Sequence, residues 1–186
     1  MSLSTPSKGG ARSYRQWHRR LFELVLFALL ADVMFVSKIL MEALPNIHLL
    51  AMLIAVFTVT FRVKALIPIY LYVFLDGLVH GFPTWWVPYL YIWTILWGMV
   101  MLLPRRMPRG LAPFVYATVC GLHGFLFGIL YAPAEAWLFG LNFEDMLLWL
   151  AAGIPYDVTH GISDFLVSLL LTMPLSAMLG RLTKKL

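Results

Sequence analysis

Trp85-Trp-Val-Pro-Tyr-Leu-Tyr-Ile-Trp-Thr-Ile-Leu-Trp-Gly-Met-Val-Met-Leu-Leu103 contains no charged residue, and it ends against Pro104-Arg-Arg-Met-Pro-Arg-Gly110. A run of this length matches the ~20 apolar residues that carry a helix across a bilayer, and the arginine cluster matches the basic flank of a cytoplasmic connection. The pattern repeats outward from there. Further apolar segments lie at 21–41, 47–61, 65–82, 111–132 and 157–179, which with 85–103 makes six.

Composition agrees with this reading. The 186 residues are 61% hydrophobic and 12% charged, with a mean hydropathy of +0.83. Soluble domains carry about 25% charged residues, so a disordered chain is excluded and an ordinary soluble domain is not expected. The lone Cys120 permits no intrachain disulfide and sits in an apolar run, where a thiol packs as a small hydrophobe. No repeat or linker divides the chain. The expected fold is an all-α integral membrane protein, a compact bundle of six transmembrane helices spanning residues 21–186 and preceded by a basic cytoplasmic tail, residues 1–20. A cleaved leader is not expected, because the first apolar run contains Glu23 and Asp32 and no small-x-small site closes it.

The charges set an orientation. Thirteen of the fourteen Lys and Arg residues fall in alternate connections: the N-terminal tail, Arg62 and Lys64, the cluster Arg105, Arg106 and Arg109, and the C-terminal Arg181, Lys184 and Lys185. The other connections hold Glu42, Glu135, Glu144 and Asp145. The positive-inside rule then puts both termini in the cytoplasm. The net charge of +5 is absorbed by that topology and by anionic lipid headgroups, so no nucleic-acid partner is expected. Residues 133–155 read as an outer loop carrying a short lid-like helix at 146–152, with Pro155 opening the last span. The competing reading is a lengthened sixth span.

Ionisable groups inside apolar spans cost about 2.5–3.5 kcal/mol on insertion scales, and each calls for a reason. Tyr72, Asp76 and His80 recur at steps of four on one face of the third span, and Asp157, His160, Asp164 and Ser168 share a face of the last. His123 lies on the fifth span between Gly121 and Gly124, while Glu42 and His48 bracket the first outer turn. These groups converge on the outer half of the membrane, either lining a cavity or bonding between helices. Asp32, alone on the first span, reads as an interhelical hydrogen-bonding group. Trp85, Tyr89, Trp93 and Trp97 form an aromatic stripe, and its upper part, with Trp86, is either an interfacial belt or a platform for a flat ligand. Gly77–Gly81 and Gly124–Gly128 are small-residue pairs suited to close helix approach.

Several chemistries find no motif. There is no nucleophile elbow, no His-Glu-x-x-His site and no phosphate-gripping glycine loop, so neither an intramembrane enzyme nor self-powered transport has a recognisable signature. A self-contained metal-ion transporter built on His80, His123, His160, Asp76, Asp157 and Asp164 is physically open, without diagnostic ligand spacing.

Three blocks carry a family resemblance: Leu44-Pro-Asn-Ile-His48, the stretch Asp76-Gly-Leu-Val-His-Gly-Phe-Pro-Thr-Trp-Trp-Val-Pro-Tyr-Leu-Tyr-Ile-Trp93, and Gly153-Ile-Pro-Tyr-Asp-Val-Thr-His160. Together they resemble the substrate-binding S component of an energy-coupling factor (ECF) vitamin transporter, most closely its cobalamin-specific branch. The resemblance implies a non-enzymatic, multi-pass protein of the bacterial plasma membrane that captures a vitamin from outside with high affinity. It would work with a transmembrane coupling subunit and two cytoplasmic ATPase subunits, binding no cofactor or metal of its own. Folate or riboflavin would be alternative cargoes. The implied substrate-binding residues are Asn46, His48, Asp76, His80, Trp85, Trp86, Tyr89, His123, Asp157 and His160. In that family the first helix meets the coupling subunit through small residues, often Ala-x-x-x-Ala. The corresponding residues here, Ala28 and Ala31, are three apart.

Overall fold

The computed structural model describes residues 8–44 and 46–184, with side chains from Gln16 onward. Pro45, the residues ahead of Lys8 and the last two lie outside the described residues, and with them Lys185 and the side chains of Lys8, Arg12 and Arg15 that entered the charge argument. The chain is 84% helical, and there is no strand among the described residues. That is the arrangement apolar surroundings demand, because each helix satisfies its own backbone hydrogen bonds. Among the described residues, four helical stretches are long and apolar enough to cross a membrane: Leu50–His80, Thr84–Leu102, Ala112–Phe139 and Phe143–Thr183.

Among the described residues, seven α-helices make up these stretches and the segment before them. They are α1 (Lys8–Leu40), α2 (Leu50–Phe61), α3 (Leu66–His80), α4 (Tyr89–Leu102), α5 (Ala112–Phe125), α6 (Phe127–Phe139) and α7 (Phe143–Thr183). Helix α1 starts inside the basic segment 1–20. The path from α2 to α3 breaks at Arg62, whose φ of 56° and ψ of −121° are not helical. Two contacts from α4 hold this break. The Arg62 guanidinium donates to the Met101 carbonyl at 3.0 Å, and the Trp97 indole N–H donates to the Arg62 carbonyl at 3.1 Å.

Helix α2 is the centre of the molecule. Every residue from Leu50 to Thr58 is buried, as expected of a helix that is apolar all round. Its one polar side chain there, Thr58, donates to the Ile54 carbonyl of its own helix. The outer helices show the opposite pattern. Leu24, Val25, Leu29, Val33 and Val36 of α1, and Leu166 and Leu170 of α7, are exposed, while Asp76, His123, His160, Asp164, Ser168 and Thr172 are buried. An apolar exterior around polar interior groups suits lipid surroundings.

Helices α5 and α7 approach more closely than side chains would allow. A Cβ added to Gly124 would lie 2.8 Å from the Gly161 Cα, and one added to Gly121 would lie 2.9 Å from the Phe165 Cβ. Gly124 thus has the packing role its spacing suggested. Gly81 has another: with φ of 78° it is the left-handed residue that terminates α3.

The expected outer loop at 133–155 is corrected. Pro133 lies inside α6, Gly140 ends that helix at φ 66°, and α7 begins directly at Phe143. Asn142 caps α7 by accepting from the Asp145 amide at 2.9 Å, and Glu144 and Asp145 favour the positive end of the helix dipole. Pro155 therefore sits within α7 and does not open it. The 146–152 segment is the early part of one helix about 60 Å long, at 1.5 Å per residue. The expectation for Asp32 is corrected as well. It is exposed on the outer face of α1 and makes no interhelical hydrogen bond among the described residues.

The Gly124 contact supplies a stability test. Gly124→Ala is expected to lower stability by about 1–3 kcal/mol through overpacking. Gly98→Ala, where an added Cβ meets nothing within 4 Å, should be near neutral. Thermal unfolding of the two variants in detergent checks the difference.

Candidate functional site

One cavity combines aromatic walls with convergent polar groups. It encloses about 360 Å³ between the turn ahead of α4, helix α6 and the early part of α7, and its lining includes Asn46, Trp85, Phe127, Tyr131, Trp149 and Asp157. The four-residue periodicity of α6 builds one wall, because Phe127, Tyr131, Glu135 and Phe139 all line it. Across from them, Trp149 stacks on Tyr131 with ring centroids 5.7 Å apart and planes 19° from parallel. The Tyr131 hydroxyl donates to the Trp85 carbonyl at 3.2 Å, tying the α6 wall to the turn before α4. Asp157 enters from α7 and accepts the Gly128 amide at 3.1 Å through Oδ1, while Oδ2 has no hydrogen-bond partner among the described residues. The lining contains two carboxylates, Glu135 and Asp157, and no Lys, Arg or His.

Of the ten substrate-binding residues expected from sequence, Asn46, Trp85 and Asp157 line this cavity. The others fall in two groups. The first surrounds Asp76, which is fully buried and held by Lys38 with both oxygens 2.7 Å from the ammonium. The same ammonium lies 4.5 Å from the Trp85 ring centroid and 5.5 Å from that of Tyr89. His80 contacts the Asp76 carbonyl through Nδ1 at 2.9 Å and packs edge-on against Trp85. Trp86 donates to the Val73 carbonyl at 2.7 Å and packs on Phe82. The structure uses Asp76, Trp86 and Tyr89 to join α1, α3 and α4, and none of the three lines the cavity.

The second group lies behind Phe127. His123 is fully buried, contacts the Ile92 carbonyl through Nε2 at 3.2 Å and faces Trp93. His160, 2% exposed, has its ring centroid 4.6 Å from that of Phe127, and the His48 ring stands edge-on to it at 4.5 Å. These imidazoles form a layer beneath the cavity floor. Trp93 is buried with them, so the lower part of the aromatic stripe is core.

The six residues considered for a metal transporter are not gathered at one point. Asp76 is neutralised by Lys38, Asp157 is on the Gly128 amide, and His123 is on the Ile92 carbonyl. Of the alanines assigned to a partner contact, Ala28 is exposed and Ala31 is 3% exposed and part of the core. Sequence reasoning missed Phe127, Tyr131, Glu135, Phe139, Trp149 and Tyr156. The spacing of four through 127–139 was the available signal, hidden by reading the chain after Pro133 as a loop.

The Lys38–Asp76 pair is testable on its own. Lys38→Met strands a buried carboxylate and is expected to cost about 3–5 kcal/mol, while Lys38→Met combined with Asp76→Leu should recover most of that loss. Thermal unfolding in detergent, run as a double-mutant cycle, measures both. In comparisons with known proteins, no family model, no curated protein and no solved structure matches this chain.

Proposed function

We propose that this chain is the substrate-capture subunit of an ECF-type vitamin importer, crossing the plasma membrane six times with both termini in the cytoplasm. The observation that carries the reading is the aromatic, carboxylate-edged cavity between α6, α7 and the turn ahead of α4, at the end of the molecule away from Arg62, Lys64 and Arg105, with Lys38 reaching the Trp85 ring at its edge. Several contacts support the topology. Lys64 pairs with Glu23 at 2.5 Å, and Lys38 pairs with Asp76, so α1 and α3 run side by side in one direction. Phe61, at the far end of α2, packs on Phe27 of α1, while Asn46 ahead of α2 accepts from Ser163 at the cavity end. The break at Arg62 is then a reversal, and it divides Leu50–His80 into two passages. Arg19, Lys64 and Thr183 line one crevice, and Arg62 and Arg105 line another, so these four basic residues collect at a single end. The positive-inside rule makes that end cytoplasmic and the cavity external.

The cavity chemistry narrows the cargo. A volume of about 360 Å³ is at the low end for drug-sized ligands, which favours a single flat ring system over the corrin macrocycle first suggested by the resemblance. Stacked aromatic rings with two carboxylates and no basic side chain favour a neutral or cationic heterocycle. The exposed face of α1 supports a protein partner: Asp32 stands among Leu24, Val25, Ala28, Leu29 and Val33, and a carboxylate exposed to lipid is costly. A coupling subunit covering that face would remove the cost. With no nucleotide-binding motif in the chain, the energy comes from partner ATPases.

Calorimetric titration of the detergent-purified chain with thiamine, riboflavin, folate and cobalamin tests the reading. One saturable ligand is expected, with affinity falling at least tenfold in Tyr131→Ala or Trp149→Ala. Asp157→Asn should weaken a cationic ligand more than a neutral one. Absence of binding across the panel, or binding indifferent to all three substitutions, would count against capture at this cavity.

A further inference from the structure

The side chain of Asp164 is 1% exposed, and neither carboxylate oxygen has a hydrogen-bond partner among the described residues. Leaving a carboxylate charged in that condition costs several kcal/mol, so Asp164 either holds a proton or is met by a positive charge. Two imidazoles face it. His48 Nδ1 is 3.8 Å from Oδ1, and His160 Nε2 is 3.3 Å from Oδ2. Both nitrogens are buried and also lack a hydrogen-bond partner among the described residues. These separations exceed the 2.7–3.2 Å of a hydrogen bond to nitrogen. The shorter falls at the lower edge of the about 3.3–3.6 Å that separates ligand atoms placed 2.0–2.2 Å from a tetrahedral metal, and the longer exceeds that range by about 0.2 Å, which a small side-chain shift closes. One donor atom from each of His48, His160 and Asp164 lies within 4.8 Å of the others.

The three donors are held from outside the cluster. His160 and Asp164 are one turn apart on α7, which fixes them on one buried face. His48 lies in the connection ahead of α2, and that connection is anchored to α7. Ser163 donates to the Asn46 carbonyl at 3.0 Å, and Asn46 takes a left-handed φ of 58°. Donors locked in place by neighbouring contacts are what a preorganised metal site requires.

We propose that His48, His160 and Asp164 bind one divalent transition-metal ion of the zinc class, a resident site beneath the floor of the cavity. Two neutral imidazoles and one carboxylate suit Zn²⁺ or Co²⁺ better than Ca²⁺ or Mg²⁺, which take oxygen donors. The ion neutralises Asp164, satisfies the two orphaned nitrogens and joins the connection before α2 to α7. Phe127, against His160, separates it from the cavity. The site does not depend on the identity of the cargo, or on the cavity binding a vitamin.

The full-length chain, purified in detergent through an affinity tag that contains no histidine, is the test material. Elemental analysis after Zn²⁺ loading and removal of excess metal should find about one ion per chain. Co²⁺ substitution should give the intense visible absorption of a tetrahedral site. Asp164→Asn and His160→Gln should each weaken Zn²⁺ binding at least tenfold, whereas Glu144→Gln, exposed in the first turn of α7, should leave it unchanged. A chelator should lower the unfolding temperature of the wild-type chain, a readout that requires no variant to fold. Wild-type protein without stoichiometric metal, a six-coordinate Co²⁺ spectrum, or unchanged binding in folded Asp164→Asn would each overturn the proposal. Vitamin titration of the same samples keeps this outcome separate from that of the capture reading.

Discussion

Backbone contact between α5 and α7 at Gly124 and Gly161 is the constraint on which the rest of the arrangement depends. With hydrogens in place of side chains, the two helices meet closely enough that α7 is fixed in both height and rotation against the bundle. That single orientation aims His160 and Asp164 into the core and Asp157 at the cavity. It also brings Ser163 to the Asn46 carbonyl, which seats the connection leading into the buried helix α2. A small rotation of α7 would expose its polar face to lipid and close the cavity with apolar side chains, so the packing contact and the chemistry are coupled.

Within this frame the carboxylates inside the bundle are handled in different ways. Asp76 has a full counter-charge in Lys38, reached from another helix, and the pair knits α1 to α3. Asp157 has a backbone amide on one oxygen and lines the cavity. Asp164 has neither, only two imidazoles at distances too long for hydrogen bonds. Asp32 faces outward from α1 among aliphatic residues. Sequence position alone gives these four groups the same apparent status, as acids in apolar helices. Their surroundings, spread over four helices and the connection ahead of α2, separate an ion pair from a carboxylate beside a cavity, a buried carboxyl facing two imidazoles and an exposed charge.

The sequence made some of this legible and not the rest, for physical reasons. Hydrophobic runs and charge flanks are local signals, and they located α2, α3, α4 and the start of α5 to within a few residues, but ran α5 and α6 together and began the last helix several turns late. Proline misled the reading at 133 and 155, because helix breaking in water does not carry over to apolar surroundings, where neighbouring groups tolerate the lost hydrogen bond. The aromatic wall of α6 was lost with it. Lys38 was the single cation outside the charge pattern, and its partner is 38 residues away, so no window could pair them. The same holds for His48 and Asp164, 116 positions apart. Spacing placed His160 and Asp164 on one face correctly, yet the third member of their cluster comes from a turn that periodicity cannot orient.

Helix α7 extends about 60 Å, roughly twice the hydrocarbon thickness of a bilayer, and its first turns, with Trp149 and Gly153, line the cavity. A helix of that length embedded to match its apolar stretch holds its leading end at or above the headgroups. The height of the cavity mouth then becomes a function of membrane thickness: a thin bilayer leaves it in water, and a thick one draws it toward the acyl chains. Lipid composition would thereby tune how quickly a water-soluble ligand exchanges, with no change in any residue that touches it.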